Sequence, residues 1–253
     1  MPTISASARK GFARPQSPNR TGEPLSLPLS LEQNLLWTML SGTHTTTERA
    51  PRHLPLQRLF DVVASALLLV ILAPLFLFIW LRLLQTGIAP LYRHTRVGYQ
   101  GKLFVCLKFS TMYPNSDDLL RRYLRNNPIA RLQWETYRKL RHDPRITPFG
   151  HFLRRTSLDE LPQLWNVLRG QMSLVGPRPV PSYESELYGN ALPVYQSVRP
   201  GITGLWQVSG RNTLAYRQRV MLDILYIRNR TLWLDLVILV KTIGVVRRGS
   251  GAW

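Results

Sequence analysis

Residues 62–81 read VVASALLLVILAPLFLFIWL, an uncharged and largely apolar run of 20 residues. As one helix this run would be about 30 Å long, which matches the hydrocarbon core of a bilayer. A buried core helix is the alternative. Pro74 divides the run into segments of 12 and 7 residues, each too short to cross a bilayer alone. Because a proline inside a helix removes a hydrogen bond, the sequence predicts a bend at Pro74.

The charges on both sides of this run predict how it lies in a membrane. Residues 1–60 carry seven Lys and Arg against three acids, and the residues after Asp61 carry 26 against ten. Basic flanks stay on the cytoplasmic side of a membrane. A straight helix would place one basic flank outside, whereas a helix that bends and returns keeps both inside. We therefore expect residues 53–88 to form a re-entrant, monotopic membrane anchor.

The whole chain is strongly basic, with a formal charge of +19 and a pI near 11.1. Such a charge indicates an anionic partner: nucleic acid, anionic lipid or a phosphorylated substrate. A nucleic-acid-binding protein would explain the charge but not the apolar run, so we predict anionic membrane lipid and no nucleic acid. The lone Cys106 excludes an internal disulfide framework and a cysteine-based zinc site, and it is expected to be a core residue.

The segments around the anchor differ in composition. Residues 1–52 combine prolines with Ser, Thr and Arg and predict a disordered polar and basic tail, interrupted by a short amphipathic helix at 31–40. Residues 89–253 predict a compact mixed α/β (α+β) domain. Two short β-prone runs bounded by glycine, 89–98 and 101–112, predict a hairpin.

Two later segments have helical patterns. Residues 116–143 predict a helix that breaks at Pro128, with an arginine-rich face able to lie on anionic lipid. Residues 231–248 are apolar with basic residues toward the end. They predict either an interfacial amphipathic helix or a core helix, and the sequence does not decide between the two.

The stretch RRTSLDELPQLWNVLRG, Arg154–Gly170, contains two adjacent acids in a basic chain. On spacing alone, Ser157 and Glu160 match a helix capping box, and Gly170 is a suitable C-terminal stop. Asp159 is the alternative cap, because Pro162 would be the third residue after it, where proline is tolerated. In this interpretation Asp159 and Glu160 stabilise the first turn of a helix, whose apolar face is Leu161, Leu164, Trp165 and Leu168.

The same stretch also suits phosphate chemistry. A helix N-terminus and the arginines Arg154 and Arg155 bind phosphate oxygens. Asp159 is ionised at neutral pH and needs no general base to attack phosphorus. Glu160 would hold Mg²⁺, which neutralises a diphosphate.

Two further stretches contain candidate phosphate ligands. SLVGPRP, residues 173–179, places Arg178 in a rigid frame of Gly and Pro. RPGITGLWQVSGRN, residues 199–212, is a glycine-rich loop that begins at Arg199 and contains Arg211 near its end. Such backbone with flanking arginine can bind phosphate, although an ordinary turn is the alternative in each case.

Taken in order, LKFSTM, DPRITPFGHFLRRTSLDELPQLWNVLRGQMSLVGPRP, RPGITGLWQVSGRN and LDILYI, after an apolar segment with a central proline, resemble the bacterial sugar transferases. These are polyprenyl-phosphate hexose-1-phosphate transferases, or small monotopic phosphoglycosyl transferases. The resemblance covers about residue 57 to the C-terminus and is greatest to the short members that initiate exopolysaccharide synthesis.

The resemblance implies transfer of hexose-1-phosphate from a UDP-hexose, with galactose or glucose favoured, to undecaprenyl phosphate at the cytoplasmic face of the bacterial inner membrane. It also implies that UMP is released and that a phosphosugar–aspartyl intermediate forms. Asp159 matches the nucleophile and Glu160 the Mg²⁺ ligand. The predicted phosphate-binding residues are Arg154, Arg178, Lys108, Arg145, Arg199 and Arg211.

The chain departs from the family pattern at two positions. Ser110 stands where the family usually has Arg, and Gln171 stands where many members have Asp. These departures are the support for a further alternative, a non-catalytic membrane scaffold of the same fold. The sequence leaves the sugar and the oligomeric state open, with a homo-oligomer among the alternatives.

Overall fold

The computed structural model describes residues 55–137, 140, 142–211 and 214–248. The tail predicted for residues 1–52 and the short helix at 31–40 lie outside the described residues. The described part is a mixed helix-and-strand domain in which helices predominate, in agreement with the predicted mixed class.

The anchor region consists of two helices, α1 (Pro55–Ile71) and α2 (Ala73–Gln85), bent by 61° relative to each other. Pro74 lies in the first turn of α2, where a proline costs no helical hydrogen bond. The predicted bend is confirmed. In the described part of the chain, the length and apolar composition needed to cross a bilayer are reached by α1 and α2 together and by no single helix.

The face of α1 that packs on the rest of the domain combines apolar residues, such as Phe60 and Ala64, with three buried polar residues. Gln57, Asp61 and Ser65, which share a face at intervals of four residues, are buried.

The exposed surface of the two helices is largely apolar, with Arg82 and Gln85 as polar exceptions near the end of α2. Its large apolar side chains are Leu56, Leu59, Val63, Leu67, Leu68, Val70, Ile71, Leu77, Phe78, Trp80, Leu81 and Leu84. Such a surface is unusual for a helix that faces water and indicates apolar surroundings.

The predicted hairpin is confirmed as β1 (Leu91–Val97) and β2 (Leu103–Phe109), which pair antiparallel across a 3₁₀ turn. Side chains alternate across it, because successive residues of a strand point to opposite faces. Phe104 and Cys106 are buried, whereas Leu103 and Val105 are exposed. The core position predicted for Cys106 is also confirmed.

The helix break predicted at Pro128 separates α3 (Ser116–Asn126) from α4 (Pro128–Tyr137). Asn127 between them is extended, as the residue before a proline prefers. The next helix, α5 (Pro148–Arg155), begins at Thr147, whose hydroxyl accepts a hydrogen bond from the Gly150 N–H. A 3₁₀ turn at Leu158–Glu160 and α6 (Gln163–Leu168) follow.

A second pair of strands is parallel, and its first strand leads into the loop that contains Arg178. It consists of β3 (Ser173–Val175) and β4 (Gly201–Thr203), with α7 (Ser182–Ser185) and α8 (Leu192–Gln196) between them in the chain. A Cβ atom on Gly201 would lie 2.1 Å from the backbone nitrogen of Gly176. The close approach of these two segments therefore requires glycine.

The C-terminal part of the domain is helical, with α9 (Leu205–Ser209), α10 (Tyr216–Asn229) and α11 (Leu232–Arg248). Of these, α11 buries Leu234 and Ile238 in the main core and exposes Trp233, Val240 and Ile243. The prediction of a core helix is thus confirmed for the face of α11 that contains Leu234 and Ile238. Contact of the opposite apolar face with a membrane interface stays a prediction.

Candidate functional site

Asp159 and Glu160 lie in the 3₁₀ turn between α5 and α6. Ser157 has a left-handed backbone (φ 57°) and its side chain makes no capping hydrogen bond, so the predicted capping box is wrong. The reason is Pro162, which has no N–H to give the Leu158 carbonyl and so prevents a helix from continuing from Ser157. Helix α6 starts after this proline, and the two acids precede it instead of capping it.

The far end of α6 agrees with prediction at Gly170. This residue has φ 76°, and the N–H groups of Gly170 and Gln171 bond the carbonyls of Val167 and Asn166, which is a Schellman motif. The predicted apolar face of the helix is only partly correct. Leu164 is buried, but Trp165 is 51% exposed.

Lys108 on β2 lies between the two acids. Its Nζ atom is 2.6 Å from Oε1 of Glu160 and 3.7 Å from Oδ2 of Asp159. The side chains of all three residues are largely shielded from solvent. The hairpin therefore places one cation against both carboxylates.

The two carboxylates are electrostatically different. Burial raises the pKa of Asp159 above its ordinary value, and the charge of Glu160 adds to the rise while Lys108 opposes it. Burial also acts upward on Glu160, but Lys108 and Arg178 outweigh it and hold the pKa of that carboxyl below its ordinary value. Glu160 is thus the better anion for a cation to bind, and Asp159 the more basic carboxylate.

Arg154, at the end of α5, is held beside Asp159. Its Nε atom donates a hydrogen bond to Oγ1 of Thr111 at 2.9 Å, and its positive charge lowers the pKa of Asp159. The contact depends on close packing of α5, because a Cβ on Gly150 would lie 2.1 Å from the Thr111 carbonyl oxygen. Thr111 belongs to the LKFSTM motif, but the sequence did not identify its hydroxyl as an anchor for Arg154.

Arg178 follows β3 and contributes positive charge to both acids. Its guanidinium lies 5.8 Å from the centre of the Trp206 ring, and that of Arg219 lies 5.1 Å from the same ring. The Tyr195 hydroxyl is 3.1 Å from the carbonyl oxygen of Arg178 and accepts a hydrogen bond from the Val180 N–H. These contacts fix the loop that presents Arg178.

Arg211 reaches the site from the glycine-rich loop. Its Nη2 atom is 3.4 Å from Oγ of Ser157, and its charge lowers the pKa of Glu160. Both Arg211 (φ 51°) and Ser157 (φ 57°) have left-handed backbones. Strained backbone of this kind concentrates at functional sites.

The structure does not bring two other predicted phosphate ligands to the acids. Arg145 pairs with Asp143 at 2.7 Å and lies over the Trp134 ring. Arg199 donates from Nε to the Gly170 carbonyl at 2.7 Å, beside Arg58 of α1 at the end of α6. The phosphate-binding roles predicted for Arg145 and Arg199 stay predictions.

A small cleft, open to solvent and with room for about one water molecule, lies beside Glu160. Its wall includes two polar residues that the sequence did not single out, Arg96 of β1 and Gln163 of α6. The other lining residues are Cys106, Lys108, Glu160, Arg178, Pro179 and Ile202. The side chain of Arg96 lies on the same face of the hairpin as those of Cys106 and Lys108, because Arg96 is paired with Phe104. The alternation of side chains along the predicted hairpin could therefore have indicated the face on which Arg96 lies.

The two carboxylates of the site, Asp159 and Glu160, are the candidate ligands for Mg²⁺. In the described ranges no three His, Cys, Asp or Glu side chains cluster in a way that could hold a metal ion on their own. Mg²⁺, however, commonly takes one or two carboxylates and completes its shell with water and substrate phosphates. Glu160, with its lowered pKa, fits that mode, and Asp159 is its neighbour.

Comparison with known proteins gives one family and several relatives. The family model described as bacterial sugar transferase matches residues 52–249. An undecaprenyl-phosphate galactose phosphotransferase of Salmonella typhimurium is 52% identical over 198 residues, which are 78% of this chain and 42% of the relative. A UDP-galactose-lipid carrier transferase of Erwinia amylovora is 50% identical with the same coverage.

A shorter relative, the exopolysaccharide production protein ExoY of Rhizobium meliloti, is 48% identical over 78% of this chain and 88% of its own length. The chain thus spans less than half the length of the first two relatives and most of the length of the third.

Proposed function

The chain belongs to the bacterial sugar transferase family, and from that premise we propose that it transfers hexose-1-phosphate from a UDP-hexose to undecaprenyl phosphate with release of UMP. The names of the relatives support this substrate class, since they refer to undecaprenyl phosphate, UDP-galactose and exopolysaccharide production. Galactose is favoured because two of these relatives name it. Glucose is favoured because a further relative, 41% identical over 196 residues, is a UDP-glucose:undecaprenyl-phosphate glucose-1-phosphate transferase of Caulobacter vibrioides.

The observation that carries the proposal is the buried Asp159 carboxylate facing Lys108, Arg154 and Arg178. These three cations face two carboxylates, Asp159 and Glu160, so positive charge is left uncompensated. A bound diphosphate would supply the missing negative charge, and the cations would reduce the repulsion between that diphosphate and the attacking carboxylate.

In the first step a carboxylate oxygen of Asp159 attacks the sugar-bearing phosphorus of the UDP-hexose. The bond from that phosphorus to the oxygen bridging the two phosphates breaks, and UMP leaves with the bond electrons. The product is a phosphosugar–aspartyl intermediate. The raised pKa of Asp159 makes its ionised form a stronger nucleophile than an ordinary aspartate.

In the second step an oxygen of undecaprenyl phosphate attacks the same phosphorus. The bond to the Asp159 oxygen breaks, which regenerates the carboxylate and gives undecaprenyl diphosphate hexose. Lys108 and Arg178 remain next to the carboxylate pair in both steps and stabilise the charge that develops on the phosphoryl oxygens.

Glu160 is the residue that would hold Mg²⁺. When bound, this ion neutralises the diphosphate and assists the departure of UMP. Lys108 contacts Oε1 of Glu160 at 2.6 Å, so Oε2 is the oxygen that would face the ion.

The acceptor lipid requires a membrane, and the exposed apolar surface of α1 and α2 supports attachment to one. We place the chain at the cytoplasmic face of the bacterial inner membrane, with α1 and α2 as a re-entrant anchor. Chemical labelling of single cysteines introduced before α1 and after α2 tests this topology. Labelling from opposite sides of the membrane would contradict it.

The decisive test of function is UMP release by the full chain in nanodiscs that contain undecaprenyl phosphate, across a panel of UDP-sugars. We expect turnover with one sugar and less than about a thousandth of it for Asp159→Asn. The exposed Asp118→Asn is the matched control and should keep full activity. Full turnover by Asp159→Asn would refute the nucleophile, and no UMP release by the wild type would favour the non-catalytic scaffold.

A further inference from the structure

The cleft beside Glu160 has a second arginine in its wall. Arg96 comes from the end of β1, and Arg178 from the loop after β3. The Val97 N–H donates to the Val180 carbonyl at 2.9 Å, and Nη1 of Arg96 lies 3.3 Å from the Pro179 carbonyl. Strand and loop are therefore joined, and the two guanidinium groups keep a fixed relation.

The charges of this cleft suit a dianion. Arg96, Lys108 and Arg178 line it together with a single carboxylate, Glu160. Burial and the nearby charge of Arg178 lower the pKa of the Arg96 guanidinium. Two arginines held close together in spite of burial and their mutual repulsion are typical of a site that binds phosphate.

Arg96 and Arg178 differ in the groups that surround them, which indicates different roles. The groups acting on Asp159 include Arg178, Lys108 and Arg154. Those acting on Arg96 include Arg178 and Glu184 of α7. Arg178 is thus near both residues. The wall of the cleft is formed by Arg96 and Arg178 among others, and Asp159 is not one of its residues.

Phosphoryl transfer places the attacking and leaving oxygens roughly in line on opposite sides of phosphorus. With the sugar-bearing phosphate beside Arg178 and Asp159, the leaving group extends along the cleft away from Asp159. We propose that Arg96 binds the phosphate of the departing uridylate and so determines affinity for the nucleotide half of the donor. The inference rests on the proposed function and adds a residue for the leaving group to it.

The test compares Arg96→Gln and Arg96→Lys with Arg93→Gln in the full-length protein. Arg93 lies on the same strand and is exposed, so it controls for loss of one positive charge from β1. For Arg96→Gln we expect KM for the UDP-sugar and the inhibition constant of UMP to rise together, by about tenfold or more. The KM for undecaprenyl phosphate and inhibition by uridine, which has no phosphate, should not change, and Arg96→Lys should recover part of the loss.

Three results would overturn the assignment. They are unchanged KM and UMP inhibition in Arg96→Gln, an equal loss of uridine and UMP binding, and an equal effect of Arg93→Gln. If the wild type releases no UMP, the proposed function fails on its own. Calorimetric titration of UMP into the wild type and Arg96→Gln then decides the inference separately, and equal affinities would refute it.

Discussion

Nζ of Lys108 and Oε1 of Glu160 are 2.6 Å apart, and this ion pair lies at the centre of the candidate site. It joins the hairpin to the 3₁₀ turn between α5 and α6 and places a cation within reach of the neighbouring carboxylate. The positive charge of Lys108 therefore lowers the pKa of both Asp159 and Glu160.

Removing Lys108 should move the acid limb of the pH–rate profile upward. Lys108 lowers the pKa of Asp159, so without it this proposed nucleophile becomes protonated at a higher pH. For Lys108→Met we expect kcat/KM of UMP release to fall off at higher pH than in the wild type, in addition to a lower maximum. Lys102→Met, at the exposed turn of the hairpin, is the control. An unmoved acid limb would contradict this account.

The Thr111 hydroxyl should matter for catalysis through Arg154. Thr111→Val removes the acceptor for Nε of Arg154, and a lost hydrogen bond to a charged group costs about 1.5–3 kcal/mol. We expect single-turnover UMP release to slow by about tenfold or more, whereas Thr111→Ser keeps the hydroxyl and most of the rate. Equal rates for the Val and Ser variants would show that the contact is not used.

Two glycine-to-alanine changes should shift thermal stability in opposite directions. A Cβ on Gly201 meets the backbone nitrogen of Gly176 at 2.1 Å, so Gly201→Ala should destabilise the fold by about 1–3 kcal/mol or more. Gly244 lies within α11, where the nearest atom to a new Cβ is the end of the Arg248 side chain at 3.7 Å. Gly244→Ala should stabilise by about 0.5–1 kcal/mol. Melting temperatures in detergent measure both, and a shift of the same sign would be inconsistent with this packing.

Asp235 should make stability depend on pH. Burial raises its pKa to about 6, although the Tyr226 hydroxyl donates a hydrogen bond to it. A raised folded-state pKa means that the folded protein binds the proton more tightly than the unfolded chain. This contribution is therefore fully present below the unfolded pKa of about 4 and is lost as the pH rises through about 6.

For Asp235→Asn we accordingly expect the melting temperature, relative to the wild type, to improve between pH 4.5 and pH 7.5. The exposed Asp118→Asn serves as the surface comparison. A difference that is constant with pH would exclude a titrating Asp235.

Patterns confined to one segment predicted this fold well. The hairpin follows from two β-prone runs bounded by glycine, the bend from Pro74, and the stop of α6 from Gly170. The spacing of Ser157 and Glu160 predicts a helix start at Asp159, but the structure has a 3₁₀ turn there, because Pro162 has no N–H for the Leu158 carbonyl. Arg96 was missed for another reason. Its neighbours Arg178 and Pro179 are more than 80 residues away in sequence, and the pairing of β1 with that loop has no local signal.

The attachment of α1 to the catalytic domain has a mechanical consequence. Arg58 donates to the Val167 and Leu168 carbonyls at the end of α6, and Asp61 accepts from the Leu174 N–H. No flexible linker separates these residues from the turn of Asp159. One residue inserted within α1 would rotate the rest of the helix by about 100° and move it by about 1.5 Å. On the proposed membrane surface, the immersion depth of the anchor therefore sets the height of Asp159, the proposed nucleophile, above the lipid headgroups. The reaction rate should then depend on the acyl-chain length of the host bilayer.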